Sequence, residues 1–140
     1  MKRTRQVGTL PLRVTPEGLL EVLLVTSRES GRWVIPKGWP SKCLTDAEAA
    51  AREAKEEAGV GGRMVALPIG AFHYMKREPA GLRRICVEVF AMLVEREMKR
   101  WPEKHQRQRQ WFPLPMAALK VREPKLRELL SQVDPSDVGF

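Results

Sequence analysis

Residues 45–59, TDAEAAAREAKEEAG, constrain this chain more than any other stretch, because residue type alone sets both ends and a candidate packing face of a helix there. Thr45 and Glu48 have the spacing of a capping box, in which each side chain accepts a hydrogen bond from the other residue's backbone amide. Gly59 supplies a C-terminal stop. Stepped at about 100° per residue, Ala47, Ala51, Ala54 and Ala58 fall on one stripe. A stripe of methyl groups lets a helix backbone sit close to another layer, so a sheet is expected beneath it.

Glu53, Glu56 and Glu57 stand apart from that stripe. With Glu53 at zero, Glu57 lies about 40° to one side and Glu56 about 60° to the other, while the alanines centre about 130° away. Three like charges gathered on one patch raise one another's pKa values unless something positive offsets them. A hard divalent cation does this well, because Mg²⁺ takes oxygen ligands and keeps waters and phosphate oxygens in its shell. Mg²⁺ (or Mn²⁺) is the cofactor expected at this patch. The alternative for the same residues is a solvated, glutamate-rich helix face.

The rest of the chain mixes strands and helices. Val7–Val14 and Leu19–Thr26 are rich in β-formers, and the Pro16-x-Gly18 turn between them predicts a hairpin. A short strand at Trp33–Ile35 is stopped by Pro36, and residues 36–40 read as loop, with Gly38 free to take unusual dihedrals. One or two extended segments are expected between Arg63 and Tyr74. Arg84–Glu95 is apolar nearly throughout and reads as the central strand. A short strand at Gln110–Phe112, a short helix at Met116–Val121 and a helix at Pro124–Val133 complete the pattern. This is an α/β (α+β) chain with helices on the faces of a mixed sheet.

At 140 residues the chain is expected to form one domain. Its 25 Lys and Arg against 17 Asp and Glu give a net charge of +8, which favours a polyanionic partner such as a nucleotide or an inositol phosphate. Nucleic acid is a less favoured partner of the same charge. No run approaches the roughly 18–20 apolar residues of a spanning helix, and the basic start lacks the apolar stretch of a secretion signal, so no membrane partner is expected. Cys43 and Cys86 have no metal or redox spacing and read as reduced thiols in a cytoplasmic protein. A monomer or a homodimer is consistent with this composition.

Gly38, followed in register by Arg52-Glu53-Ala54-Lys55-Glu56-Glu57-Ala58-Gly59-Val60, resembles the Nudix box, whose pattern is Gly, five residues, Glu, seven residues, then Arg-Glu-aliphatic-x-Glu-Glu-x-Gly-aliphatic. The register departs at the first glutamate, which is Leu44 here; Asp46 and Glu48 are near but out of register. The flanks GRWVIPKGWP and RQRQWFPL resemble the diphosphoinositol polyphosphate and dinucleoside polyphosphate phosphohydrolase branch, and the likeness covers residues 7–119. The resemblance implies an α/β/α sandwich around a mixed sheet. It implies metal-dependent hydrolysis of a diphosphate linkage in a polyphosphorylated small molecule. Glu53, Glu56 and Glu57 would be the metal ligands, with Glu53, Glu57 and Arg52 the catalytic candidates. Arg52 would orient Glu53 through an ion pair, and Gly38 would bring backbone amides near the site.

Two rival readings share these residues. Leu44 neither binds a metal nor accepts a proton, which motivates a non-catalytic sensor of a polyphosphate ligand. The basic stretch Lys99–Arg109 motivates a pyrophosphohydrolase acting on RNA 5′ ends, whose binding would weaken steeply with salt.

Basic residues are expected to grip the remaining phosphates. Arg28, Arg32 and Lys37 flank the loop before the box, and Arg107 and Arg109 alternate with glutamines so that one strand face would carry both. Lys37 is the preferred candidate. Glu88 interrupts the run Ile85–Val94, where a carboxylate is costly unless paired. It either joins the metal site or faces an arginine on the open side of the sheet, the second reading being preferred. Trp33, Trp101 and Trp111 are expected to be anchors, Trp39 a base-stacking exception, and His73 and His105 structural or exposed.

Overall fold

Successive side chains are buried along residues 6–12, 22–25 and 89–93, so these stretches must be covered on both faces. The computed structural model describes residues 3–139 and shows how this is done. β1 (Arg5–Val14) and β2 (Leu20–Thr26) form the expected antiparallel hairpin, with Leu12 opposite Val22. β7 (Gly81–Glu97) is central: it runs parallel to β1 and antiparallel to both β5 (Val60–Met64) and β6 (Gly70–Glu78). β3 (Trp33–Val34) and β8 (Arg109–Pro113) both pair with β2. The order β3-β2-β1-β7-β5 makes the spine of one mixed sheet of eight strands.

Residues 36–40, expected to be loop, contain a strand. β4 (Lys37–Gly38) pairs antiparallel with Val7 and Gly8 of β1, and the carbonyl of Pro36 accepts from the Thr9 amide at 3.0 Å. A proline on either side does not prevent this, because the two paired residues keep their own amides. Gly38 does not adopt a positive φ, so the dihedral freedom expected of it is not used.

The two faces of the sheet are closed by different helices. On one, Leu10, Leu12, Leu24, Val87 and Val89 pack against Leu126 and Leu130 of α3 (Pro124–Gln132) and Ala117 of α2 (Leu114–Lys120). On the other, Leu23, Phe90 and Met92 meet alanines of α1 (Asp46–Ala58). This is the α/β/α sandwich. Each fully buried Leu or Val contributes about 1.5–3 kcal/mol, so either face alone supplies a large share of the stability.

α1 begins and ends as its residues dictate. Thr45 Oγ1 accepts from the Glu48 amide at 3.1 Å, and Glu48 Oε1 accepts from the Thr45 amide at 2.8 Å. Gly59 closes the helix at φ 66. The buried stripe is rotated from the expected one: Ala49, Ala50, Ala54 and Ala58 are buried, while Ala47 and Ala51 are only partly so. On this inward side Thr9 of the sheet donates its hydroxyl to the Ala50 carbonyl at 2.7 Å. The rotation carries Glu57 into the interior, at 7% exposure.

Arg109, expected to grip phosphate, caps this helix instead. Its guanidinium donates to the carbonyls of Ala58 (2.9 Å), Gly59 (3.1 Å) and Met98 (2.8 Å), and lies 3.9 Å from the centre of the Trp101 ring. A cation there offsets the negative end of the helix dipole. A Cβ at Gly59 would stand 2.4 Å from Trp101 and 2.8 Å from Arg109. Gly59→Ala is therefore expected to cost about 2 kcal/mol or more, from left-handed strain plus the broken cap, read as a shift in the urea unfolding midpoint.

Candidate active site

α1 presents Glu53 and Glu57 to a cleft of about 550 Å³ whose opposite wall is β4. Glu57 is held from two sides: Oε1 accepts from the Lys37 backbone amide at 3.3 Å, and Oε2 lies 3.6 Å from Arg107 Nη2. Glu53 is pressed over Gly38 so closely that a Cβ there would stand 2.3 Å from its carboxyl carbon. This close approach, not a special φ, is what the box glycine provides. Gly38 and Lys37 both line the cleft, as expected.

The remaining nominated residues divide. Glu56 lies beside Glu53, whose proton affinity it raises, but does not line the cleft. Arg52 lies exposed on the rim and makes no ion pair with Glu53 among the described residues; it acts on Glu53 only through its field. Arg107 is central, with its side chain 9% exposed. It donates to Glu103 at 2.9 Å and to the Thr26 carbonyl at 3.1 Å. Arg28 reaches the same cleft and donates to Gln106 at 3.0 Å. Arg107 lies before β8 rather than in it, so it and Arg109 do not share a strand face.

Arg28, Lys37, Tyr74, Lys76 and Arg107 also line a second cleft of about 510 Å³, where Arg32, Arg77 and Arg122 join them. Arg32 donates to Glu123 at 3.0 Å. Among the described residues that line this cleft, Glu29 is the one carboxylate.

Several cleft residues escaped the sequence reading. Glu103 lines the first cleft, hidden in a stretch read only as basic, although its i,i+4 spacing to Arg107 was visible. Tyr74, which donates to Gln6 at 2.8 Å and carries Lys37 Nζ 4.9 Å from its ring centre, had no sequence signal. Trp39 lines the first cleft, with the Arg3 guanidinium 4.3 Å from its ring centre. The other tryptophans are anchors: Trp33 packs edge-on to Phe112 at 5.1 Å, and Trp111 lies under Arg13. Glu88 faces an arginine, accepting from Arg5 at 3.0 Å, and Asp46 takes the same guanidinium at 2.9 Å. Leu44 packs against the cluster of Val7, Ala49, Ala50 and Phe90, so the departure from the box is a core contact. His73 and His105 are exposed.

The electrostatics follow from this crowding. Burial pushes the Glu53 carboxyl up to about 7, with Glu57 and Glu56 adding to the effect and Arg52 opposing it. Glu57 is also raised, by burial, against the pull of Arg107 and Lys37. Burial lowers Lys37 to about 8, opposed by Glu57 and Glu123. Among the described residues no three His, Cys, Asp or Glu side chains are already gathered as a metal cage. The donor chemistry nevertheless fits a hard divalent ion: carboxylates of Glu53, Glu57 and Glu103 line one cleft, and among the described residues no cation forms an ion pair with Glu53.

A pH dependence follows for the metal-free protein. The Glu53 carboxyl binds its proton more tightly folded (about 7) than at its ordinary 4.5, so the folded state holds more protons. Stability is then full below about pH 4.5 and falls as pH rises towards 7. Discounted for the half-exposed position, the loss is on the order of 1 kcal/mol. Melting temperature measured in EDTA should fall over that window, and Glu53→Gln should flatten the slope.

A sequence model of the NUDIX domain matches residues 2–133. Nudix hydrolase 18, mitochondrial, of Arabidopsis thaliana is 32% identical over 91% of this chain and 74% of its own length. Nudix hydrolase 12, mitochondrial, of the same plant is 38% identical over 81% of this chain, which spans 58% of that relative. Among solved structures, a C. elegans Ap4A hydrolase binary complex superposes with TM-score 0.66 at 20% identity, over 92% of this chain and 93% of that one. The NUDIX domain of Shewanella oneidensis NrtR complexed with ADP ribose gives 0.67 at 15% identity, over 94% and 88%. At these identities the structures speak to the fold. No helix among the described residues is long and apolar enough to cross a membrane.

Proposed function

The chain belongs to the Nudix hydrolase family, and from that premise we propose that it hydrolyses a diphosphate linkage in a polyphosphorylated small molecule, of the dinucleoside polyphosphate or diphosphoinositol polyphosphate type, with Mg²⁺ or Mn²⁺. The observation that carries the reading is the cleft itself: Glu53 and Glu57 stand together over β4, and a strongly basic second cleft adjoins them. Glu53, Glu57 and Glu103, with Glu56 beside them, are the residues that would hold the metal. When bound, such an ion neutralises phosphate oxygens and lowers the pKa of a coordinated water.

The chain's own groups account for the rest. Lys37, Arg28 and Arg107 offer positive charge to phosphate oxygens, and the Arg107 fork is already fixed by Glu103 and the Thr26 carbonyl. Fixed donors stabilise developing charge without reorganising. Glu53, in the cleft beside Glu57, is the candidate to take up a proton from an attacking water. Glu57, held by the Lys37 amide, sets the register between helix and strand. Arg52 tunes Glu53 through space.

Leu44 leaves the Glu53–Glu57 pair undisturbed, because its partly buried side chain packs against Val7, Ala49, Ala50 and Phe90. The unpaired Cys43 and Cys86 support a reducing, cytoplasmic setting. The test is turnover of nucleoside triphosphates, a diadenosine polyphosphate, a nucleotide sugar and an inositol pyrophosphate, in Mg²⁺, in Mn²⁺ and in EDTA. Cleavage of the diadenosine or inositol compound that EDTA abolishes is expected. Silence across the whole panel in both metals would overturn the reading.

A further inference from the structure

We propose that Arg109 and Trp101 are positioning residues for the reaction: they seat the segment between β7 and β8 on the end of α1, and so set Glu103 against Glu53 and Glu57. This rests on the hydrolase reading, which gives Glu103 its place beside the metal. The first support is an accounting of carbonyls. The last turn of an α-helix leaves carbonyl groups with no partner inside the helix. Here residues 98–109 reach back to satisfy them. The Glu56 carbonyl accepts from the Glu103 amide at 3.0 Å, and the Gly59 carbonyl accepts from the Met98 amide at 2.8 Å. Arg109 Nη1 donates to the Ala58 and Gly59 carbonyls, at 2.9 and 3.1 Å, and Nη2 donates to the Met98 carbonyl at 2.8 Å. One guanidinium therefore joins the helix that carries Glu53 and Glu57 to the start of the segment that carries Glu103.

The second support is the ring beside that guanidinium. Arg109 Cζ lies 3.9 Å from the centre of Trp101, whose indole N–H is buried without a hydrogen-bond partner among the described residues. A buried donor left unmade is a cost, so the ring is not held there by its N–H. What it contributes is a face for the cation and bulk against Gly59, where an added Cβ would stand 2.4 Å away. From Trp101 the chain turns tightly. The Trp101 carbonyl accepts from the Lys104 amide at 3.2 Å and the Glu103 carbonyl from the Gln106 amide at 2.9 Å. The third support is what the turn delivers. Arg107 Nε donates to Glu103 at 2.9 Å and its Nη2 lies 3.6 Å from Glu57, so the three form one chain of charges in the first cleft. Among the described residues Arg109 makes no hydrogen bond or ion pair with any of them; it acts through the backbone that carries two of them. A carboxylate offered from such a segment is placed only as well as that backbone, and groups that orient metal ligands matter to affinity and rate.

The experiment measures Mn²⁺ affinity of the whole protein by calorimetry, and kcat and KM on the panel substrate that it cleaves. Arg109→Met and Trp101→Leu should each weaken Mn²⁺ binding and lower kcat by about tenfold or more, with KM changed less than about threefold. Trp101→Phe keeps a ring face and loses only the unpartnered N–H, so both readouts should stay within about threefold of wild type. Two comparisons separate positioning from general loosening. Thr45→Ala removes the cap at the other end of α1 and lowers the melting temperature, yet should leave both readouts within about threefold. In a Glu103→Gln background, Arg109→Met should weaken Mn²⁺ binding less than about threefold further, because the group it positions is already gone. Full additivity in that pair, an equal loss in Thr45→Ala, wild-type readouts in Arg109→Met, or equal losses in the two Trp101 variants would overturn the proposal. If Arg109→Met does not fold, Trp101→Leu combined with Glu103→Gln makes the same test. Failure of the hydrolase reading would look different: no turnover by wild type across the substrate panel, with this pattern of Mn²⁺ binding intact.

Discussion

Glu57→Gln is expected to lower kcat by about 10²-fold or more while the chain stays folded. The amide keeps the volume and can still accept from the Lys37 backbone N–H that Glu57 now holds at 3.3 Å. What it loses is charge, both as a donor toward a metal and as the counter-ion 3.6 Å from Arg107. Arg107 does not become an orphan, because Glu103 at 2.9 Å and the Thr26 carbonyl at 3.1 Å remain. The stability cost should then be modest, about 1 kcal/mol, well short of breaking a buried ion pair outright. Phosphate-release kinetics and a thermal melt on one preparation separate the two effects. A variant with turnover within about threefold of wild type would remove Glu57 from the machinery. A variant that fails to melt cooperatively would show that the carboxylate is structural first.

Legibility in the sequence followed locality. The ends of α1 were readable because a capping box and a terminal glycine involve residues within a few positions of one another. The central place of β7 was readable because its middle, Val89–Leu93, is buried on both faces and leaves a continuous apolar run. The pairing of Glu88 with an arginine followed from the cost of a bare carboxylate, although its partner, Arg5, lies on another strand. What failed depended on partners far along the chain. Arg107 and Arg109 looked equivalent, yet one faces Glu57 and the other caps a helix that ended 50 residues earlier. The pairing of Lys37 and Gly38 with β1 required neighbours 29 and 31 positions away, Gly8 and Val7. The rotation of α1 depended on the sheet beneath it, where Phe90, Met92 and Thr9 meet the helix. The Arg32–Glu123 contact had no sequence signature, since a glutamate ahead of Pro124 reads as the start of a helix.

Gly38→Ala is expected to lower turnover and divalent-metal affinity by about tenfold or more, with a melting temperature close to wild type. The added methyl would stand 2.3 Å from the Glu53 carboxyl carbon and 2.4 Å from Oε1, so one of them must move. The backbone of Gly38 is tied to Val7 in the sheet and cannot retreat cheaply. Glu53 is only half-buried, and its side chain can swing toward water at little cost. That movement takes a carboxylate out of the cleft and away from Glu57. It also removes the crowding that raises the Glu53 pKa, so the variant should lose the fall in metal-free stability between pH 4.5 and 7, as Glu53→Gln does. The two readouts check one another. Weak Mn²⁺ binding by calorimetry together with a flat pH profile would show that the glycine acts by making room for Glu53. Weak binding with the pH slope preserved would mean that the methyl blocks the ligand and leaves the carboxylate where it was. Full activity would mean that the close approach of helix and strand at this point is not what the chemistry requires.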